Sequence, residues 1–419
     1  MNNEGVLYWL WLSERCGAAS KDFGKLMKRY ESPYDLYRLE EEELEGLDGI
    51  SDRLKQRLSD KNLDFAYRTK YECAKKGIKV IPYGDKRYPE RLRSLEDPPV
   101  LLYVLGELPN MDRHLCIGMV GTRKMSEYGR HSAYKISYEL AAAGAVIVSG
   151  MAGGVDGVCA AGALAANGTT VAVLGNGLSV VYPKEHDKLM RAIGERGAVI
   201  SEYPLSEPPY GGNFPKRNRI ISGLCQGVLV IEGPDGSGAL ITATLAQKQG
   251  RDLFALPGKI DDKGSKVPND LIRMGAEAAT CSEDVLDFYS FLYMDKIDYG
   301  KLRKAIRQPY PEELALEEYA VKDTGKTERA RKKSVAAKPS PCSLPAEETA
   351  NPRGDQDPTL ESLDPVWRRV LEAMPISQPV SADALAVDGV SASDVITAMT
   401  MLEIEGFCEA LPGGMFLRK

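Results

Sequence analysis

The stretch LCIGMVGTRKMSEYG, residues 115–129, joins an apolar run, a glycine-containing turn and the start of a helical pattern. The same order recurs up to about residue 290, where AVIVSG, TTVAVLG, AVISEY, GVLVIEG and DLFALPG alternate with helical stretches. Strands that are apolar on both faces and alternate with helices are typical of a parallel sheet covered on both sides. The sequence therefore predicts an α/β fold with an extended Rossmann-like core of six parallel strands.

Helical spacing of apolar residues predicts a small helical domain over residues 1–75. Its turn LEGLDGI resembles a helix-hairpin-helix or SAM-like element, but an ordinary αα-hairpin needs the same glycine and is the interpretation we favour. The Rossmann-like core then occupies residues 76–295 and includes an additional strand, Val100–Leu105.

Residues 296–361 are charged and rich in proline, which predicts a disordered linker. Residues 362–419 show short helices followed by a hairpin at Gly413–Gly414, a pattern that predicts a winged-helix-like domain. The predicted recognition helix carries Asp394, Glu403 and Glu405 and no Lys or Arg. Phosphates would repel these carboxylates, so we expect this domain to contact protein rather than DNA bases.

Composition restricts the compartment and the cofactors. The 419 residues carry a formal charge of −6, include 8 cysteines without a CxxC pair, and have 3 histidines, none at ligand spacing from a cysteine. We therefore expect reduced thiols and no structural zinc. Glu4 stands where a secretory signal would carry positive charge, and no apolar stretch is long enough to cross a bilayer, so a cytoplasmic protein is expected.

Glycines and small polar residues follow most of the predicted strands. Carboxyl ends of parallel strands meet along one edge of the sheet, and each following helix N-terminus offers unpaired N–H groups. These loops predict an anion site. The residues are Gly121, Thr122, Arg123, Ser149, Gly150, Gly153, Gly154, Asp156, Gly175, Gly177, Gly233, Gly236, Ser237, Gly238 and Thr242.

Several anion classes are excluded by the spacing. The first loop reads GMVGTR instead of GxGxxG, and no GxxxxGK[ST] follows any strand, so neither a nicotinamide cofactor nor a P-loop nucleotide is expected. The acidic residues Asp156, Glu202, Glu232 and Asp235 are isolated from one another and do not form a catalytic or metal-binding set. Asp156 is expected to fix its loop by local hydrogen bonds. The sequence predicts no enzyme activity.

The stretch NFPKRNRIISGL, residues 213–224, places cations beside an aromatic ring. With Arg123, the side chains of Lys216, Arg217 and Arg219 can neutralise phosphates, and Phe214 can stack on an unpaired base. The alternative is that the arginines are solvated residues of a first helical turn and that Phe214 belongs to the core.

The ordered set GTRKMSEYG, SGMAGGVD, AVLGNGLSVVYP, SEYP, NFPKRNRIISGL, EGPDGSGALITA and FALPG resembles the DNA-processing protein A family, also called Smf. The resemblance covers roughly residues 80–290. It implies a non-enzymatic, cytoplasmic, homodimeric protein that binds single-stranded DNA, protects incoming strands in natural transformation and helps to load the RecA recombinase. No cofactor is implied.

Carried over by motif, the DNA-binding positions are Gly121, Arg123, Phe214, Lys216, Arg217, Asn218 and Arg219, with Ser149–Gly150 and Ser237–Gly238 lining the pocket. The resemblance places self-association near Leu271 and Ile272; ordinary core packing is the alternative there.

This sequence departs from the family pattern in four places. It has Gly153 in place of an arginine, Ala160 in place of a histidine and Gly236 where a lysine is common. The family's GxNxLI stretch reads VPNDLI here. The two missing cations bear on affinity for DNA and leave the pocket itself in place.

Two other functions stay open at this stage. A nucleotide phosphoribohydrolase of the related lysine-decarboxylase-like group would need a PGGxGT-type loop and a catalytic glutamate, and GPDGSGALIT matches that loop poorly. A non-DNA interaction scaffold would make the basic stretch incidental.

Overall fold

The computed structural model describes residues 5–321, 365–375, 378–381, 385, 395, 398–399, 402–403, 407–411 and 415–418. Residues 1–331 cluster as one compact unit and residues 332–419 as a second. Within the described parts of the chain, no helix is both long and apolar enough to cross a bilayer.

The first unit begins with six helices. Leu10, Trp11 and Leu12 of the first helix are fully buried, and the Trp11 indole Nε1 donates to the backbone oxygen of Asp60, 2.9 Å away. The helices are α1 (Gly5–Cys16), α2 (Lys21–Met27), α3 (Pro33–Tyr37), α4 (Glu41–Glu45), α5 (Asp52–Ser59) and α6 (Asp64–Lys75).

The turn before α5 is already occupied by a carboxylate. The Asp22 carboxylate accepts hydrogen bonds from the Ser51 backbone N–H (3.2 Å) and from the Ser51 hydroxyl (2.6 Å). A helix-hairpin-helix would present such backbone N–H groups to a phosphate, so this contact favours the ordinary αα-hairpin.

A nine-stranded sheet follows, in the order β1-β2-β6-β5-β4-β3-β7-β8-β9. From β6 to β9 every pairing is parallel, whereas β2 is antiparallel to both β1 and β6. The predicted α/β class and the six predicted core strands are confirmed as β3–β8. The strands are β1 (Lys79–Pro82), β2 (Leu101–Gly106), β3 (Cys116–Val120), β4 (Val146–Ser149), β5 (Thr170–Val173), β6 (Ala198–Ser201), β7 (Gly227–Val230), β8 (Asp252–Ala255) and β9 (Glu277–Ala278).

Helices cover both faces of this sheet because alternate strand residues point to opposite sides. In β3, Ile117 and Met119 join the cluster that includes α8, α9 and the N-terminal helices, whereas Cys116 and Val120 join the cluster that includes α11 and α12. The helices are α7 (Glu90–Arg93), α8 (Glu127–Ala142), α9 (Val155–Ala165), α10 (Asp187–Arg196), α11 (Asn213–Leu224), α12 (Gly238–Lys248), α13 (Lys266–Arg273) and α14 (Ser282–Phe288).

The predicted linker starts too early. Residues up to 321 form two more helices, α15 (Tyr299–Arg307) and α16 (Glu312–Glu318), and these pack on α8 and α9. The Glu312 carboxylate accepts from Arg130 and lies 2.8 Å from Nδ1 of His131. Burial of apolar side chains such as Leu302 and Leu316 holds the two helices in place. Most of the remaining predicted linker, residues 322–361, lies outside the described residues.

In the second unit, the described parts are the helix α17 (Pro365–Ala373) and a three-stranded sheet of order β10-β12-β11. Strands β11 (Cys408–Leu411) and β12 (Met415–Arg418) are antiparallel, and Leu411 pairs with Met415 as the predicted hairpin requires. Strand β10 (Val380–Ser381) completes the sheet. Gly413–Gly414, Asp394 and Glu405 lie outside the described residues, and Glu403 is exposed.

Candidate nucleic-acid interface

The carboxyl ends of the parallel strands form one edge, which we call the rim. It consists of the loops that follow β3 to β7, at residues 121–126, 150–154, 174–183, 202–212 and 231–237, together with the first turn of α11 at residues 213–216. Helices α8, α9, α11 and α12 each begin directly after one of these loops. The predicted convergence of the loops is therefore confirmed by the sheet order.

Glycines let neighbouring loops of the rim approach one another. A Cβ at Gly121 would lie 2.6 Å from a methyl carbon of Val155, and a Cβ at Gly150 would overlap the Arg217 guanidinium. The backbone N–H of Val155 also donates to the Thr122 oxygen, 3.2 Å away. At these two positions the absence of a side chain therefore serves the packing of protein against protein.

Phe214 lies on the rim and in neither of the two core clusters that flank the sheet. Its ring is half-buried, with the Tyr182 ring 5.5 Å away between centroids. The Arg123 guanidinium carbon lies 5.3 Å from the Phe214 centroid. This arrangement places an aromatic surface and a cation together at the edge of the loops.

Arg217 is buried beneath that ring, with 4% of its surface exposed. Its Nη1 donates to the backbone oxygen of Gly150 (2.8 Å) and to that of Val173, and Nε donates to the Asn218 side chain (3.1 Å). Burial lowers the pKa of Arg217 to about 10, against the opposing effect of the Asp156 carboxylate. Arg217 therefore joins α11 to the loops after β4 and β5.

Arg219 is also buried, with 3% of its surface exposed, and it pairs with two carboxylates. Its Nε lies 2.9 Å from the Asp97 carboxylate and its Nη2 lies 2.7 Å from that of Glu202. Burial alone would lower the pKa of Arg219, but these two carboxylates raise it.

The expectation of an open row of cations along α11 is thus corrected. Of Lys216, Arg217 and Arg219, only Lys216 is exposed. Arg123 and its neighbour Lys124 are exposed on the loop after β3. The surface cations of the rim come from the loop after β3 and from the first turn of α11, while Arg217 and Arg219 further along α11 are buried.

The other predicted DNA-binding residues also divide into buried and exposed ones. Ser149 is buried and its hydroxyl donates to the backbone oxygen of Met119 (2.7 Å), so it faces the sheet and does not line an open pocket. Asn218 is half-buried, as is Ser237, whereas Gly238 at the start of α12 is exposed. Thr122 is half-buried, and its backbone N–H donates to the backbone oxygen of Glu232, 2.8 Å away.

The rim carboxylates are held by protein donors. Asp156 accepts from the Gly150 backbone N–H (3.1 Å), which confirms its predicted role in fixing the loop. Burial raises the pKa of Asp156, and the Arg217 charge opposes that shift. Glu232 accepts from the Ser126 backbone N–H (2.8 Å) and from its hydroxyl. No cluster of His, Cys, Asp and Glu suited to a metal occurs among the described residues.

Family models match two segments of the sequence. Residues 79–290 match the DNA recombination-mediator protein A model, and residues 354–414 match the DprA winged helix domain. A protein Smf of Synechocystis is 30% identical over 424 residues, which covers 100% of both chains.

The chain belongs to the DNA processing protein A family. Protein Smf of Escherichia coli is 42% identical over 243 residues, which is 56% of this chain and 65% of that protein. The crystal structure of DNA processing protein A from Streptococcus pneumoniae superposes with a TM-score of 0.57 and 32% identity, covering 67% of this chain and 97% of that one. The predicted winged-helix class of the C-terminal domain is confirmed by the family match.

This member of the DNA processing protein A family lacks the expected cations at Gly153 and Gly236. The two positions differ in their surroundings. A Cβ at Gly153 would have nothing within 4 Å, and the residue does not have a positive φ. Gly236 has equal space but a φ of +70°. A side chain therefore fits Gly153 without strain, whereas Gly236 has a backbone that favours glycine.

The predicted interface residues near α13 require a correction. Leu271 is 4% exposed and belongs to the core cluster beneath α12, so it is not available to a second chain. Ile272 is half-buried against the same cluster. The exposed apolar side chain of this segment is Met274, 65% exposed, which follows the helix directly.

Sequence reasoning also missed three rim residues. Tyr182 packs against the Phe214 ring, Tyr210 is 60% exposed just ahead of α11, and Lys124 is exposed beside Arg123. All three stand in loops that the strand pattern had already placed at the rim. An aromatic or cationic residue in such a loop was the available signal.

Proposed function

We propose that this protein binds single-stranded DNA along the rim. The observation that carries the proposal is the half-buried Phe214 ring on the rim, with the Arg123 guanidinium carbon 5.3 Å from its centroid and the exposed Lys124 and Lys216 on the same edge. Aromatic rings stack on unpaired bases, and cations near them neutralise the backbone. Duplex DNA hides its base faces, so single strands are the preferred form.

The protein acts in this proposal as a binding protein and not as an enzyme. Asp156, Glu202 and Glu232 are each buried and engaged by Gly150, Arg219 and Ser126. A general acid or base must reach the reacting atom within hydrogen-bond distance, and these buried carboxylates are directed at protein donors.

Membership of the family supports a proposal for the cellular role. A recombination mediator brings recombinase to single strands, so we propose that the chain protects incoming DNA and helps to load RecA in natural transformation, in the cytoplasm and as a homodimer. These finer assignments rest on membership of the family and on the rim as a binding surface for DNA.

Titration of a fluorescent dT oligomer, followed by anisotropy, tests DNA binding. Phe214→Ala should weaken binding of the oligomer by about 1–3 kcal/mol and leave its salt dependence unchanged. An unlabelled duplex should compete poorly with the labelled single strand for the wild-type protein. Because Phe214 belongs to neither core cluster, the variant should lose less stability in thermal melting than the about 3–5 kcal/mol of a core Phe→Ala change. Equal competition by duplex, or wild-type affinity in the variant, would contradict stacking on this ring.

Two further assays address the other candidates. Incubation with nucleoside monophosphates should release no free base detectable by chromatography, whereas release would support the phosphoribohydrolase alternative. If no oligomer binds even at low salt, the interaction scaffold becomes the better explanation. RecA filament formation on strands precoated with single-strand binding protein should accelerate when this protein is added.

A further inference from the structure

The outer face of α6 carries two exposed tyrosines. Tyr67 is 58% exposed and Tyr71 is 70% exposed, whereas Ala66, Thr69 and Cys73 on the opposite face are buried. Residues four apart lie on the same face of a helix, about 6 Å apart along its axis. The two rings therefore form one surface that points away from the core.

Cations lie between and beside these rings. Arg68 and Lys75 are exposed on the same face, and Lys76 follows at the end of the helix. The nearby carboxylates are Asp64 and Glu72, and Glu72 lies 3.7 Å from the Lys76 ammonium group. Aromatic rings interleaved with cations are what a sequence-tolerant surface for single strands requires.

This face is continuous with the rim. The Lys76 Nζ donates to the hydroxyl of Ser179, 2.6 Å away, and Ser179 belongs to the loop that follows β5. Tyr182, three residues further along that loop, packs against Phe214 with the two rings tilted by 37°. The C-terminal end of α6 therefore adjoins the rim loop that supports the Phe214 ring.

We propose that a single strand bound at the rim continues over α6, with bases stacked on Tyr67 and Tyr71 and the backbone near Arg68 and Lys75. We call this surface the α6 track. The proposal rests on the proposed binding of single strands at the rim, and it gives the N-terminal helices a direct part in that binding. It also implies that longer strands bind more tightly than strands that fill the rim alone.

The test uses the full chain and two labelled dT oligomers, one of about 6 and one of about 20 nucleotides, since comparable sites hold roughly 4–16. The double variant Tyr67→Ala/Tyr71→Ala should bind the short oligomer like the wild type. It should bind the long one at least about 25-fold more weakly, because two stacking contacts are lost and each costs about fivefold or more. The double Phe variant keeps both rings and should behave as the wild type.

A matched control removes an exposed aromatic away from the rim. Phe291 is 85% exposed, and its neighbour Tyr293 contacts Gln226, which precedes β7 at the amino end of the strands. Phe291→Ala should leave both affinities unchanged. A loss for this control equal to that of the double variant would overturn the α6 track.

The outcomes separate the two proposals. If the wild type binds neither oligomer, the rim proposal fails and the α6 track fails with it. If the wild type binds both oligomers and the double Ala variant binds the long one equally well, only the α6 track is overturned. If the double Ala variant binds both oligomers more weakly by the same factor, the α6 track is overturned as well. Photocrosslinking of a long 5-iodouracil oligomer to the wild type, mapped by mass spectrometry, should label Tyr67 or Tyr71, and labelling confined to rim residues would contradict the track.

Discussion

Replacing Arg217 with methionine tests whether this arginine stabilises the fold or contacts a phosphate. The guanidinium is 4% exposed and donates to the oxygens of Gly150 and Val173, and the Asp156 carboxylate depends on its charge. Leaving a buried acceptor without its donor typically costs about 1–3 kcal/mol, and here two backbone oxygens lose their donor while the buried Asp156 carboxylate loses a nearby positive charge. Arg217→Met should therefore lower the free energy of unfolding by roughly that amount.

The matched variant is Lys216→Ala, one residue away and exposed. Its stability should change by no more than about 0.5 kcal/mol, as is usual for surface substitutions. Its binding of single strands should show a slope of log K against log salt that is shallower by about 0.7 for one lost phosphate contact.

Urea denaturation followed by circular dichroism measures the first effect, and anisotropy titrations at several salt concentrations measure the second. Arg217→Met is expected to weaken DNA binding through displaced loops, with the salt slope of the residual binding unchanged. A stable Arg217→Met protein whose slope falls by about 0.7 would refute the reasoning, since it would mean that this arginine reaches phosphate.

Three further predictions concern other positions. Gly153→Arg should raise affinity for single strands and steepen the slope of log K against log salt by about 0.7 in anisotropy titrations. Gly236→Arg adds the same charge, but it should destabilise the protein by about 1 kcal/mol in urea denaturation because this position has a positive φ. Leu271→Glu should unfold the protein in circular dichroism, and a folded variant with altered mass in light scattering would restore the interface prediction. Burial lowers the pKa of His186, whose Nδ1 lies 3.0 Å from the backbone oxygen of Met151. The neutral imidazole therefore contributes to stability above about pH 6.5, and this contribution is lost as the pH falls. His186→Gln should flatten the dependence of the urea midpoint on pH between about 7 and 5, and an unchanged dependence would contradict this.

The sheet could be predicted from the sequence because its strands are buried on both faces. Runs such as AVIVSG and GVLVIEG are apolar without interruption, and only a covered parallel sheet accommodates several of them. The edge strand β1 contains Lys79 and Pro82 and β9 consists of two exposed residues, so neither is an uninterrupted apolar run. Helices α15 and α16 were missed because each is short and stands in a charged segment, and packing on α8 and α9 decides that they fold.

The arginines of α11 show where residue type misleads. Arg217 stands three and four residues before Ile220 and Ile221, which places it on the buried face of the helix, so its burial could have been inferred from the helical period. The partners of Arg219 could not have been inferred. Asp97 is 122 positions away in the sequence, and only the fold brings its carboxylate to the guanidinium.

The burial of these arginines leads to a last prediction, on salt dependence. Arg219 is neutralised by two carboxylates and Arg217 faces Asp156, so neither should release counterions when DNA binds. The exposed cations of the rim are Arg123, Lys124 and Lys216.

At about 0.7 per phosphate contact, a short oligomer confined to the rim should therefore show a slope of about −2 in log K against log salt. A long oligomer that also follows the α6 track meets Arg68, Lys75 and Lys76, and its slope should approach about −4. Anisotropy titrations of both oligomers across a salt series measure the two slopes. A slope near −4 for the short oligomer would mean that the buried arginines open toward the strand on binding, because the exposed cations of the rim are too few to account for it.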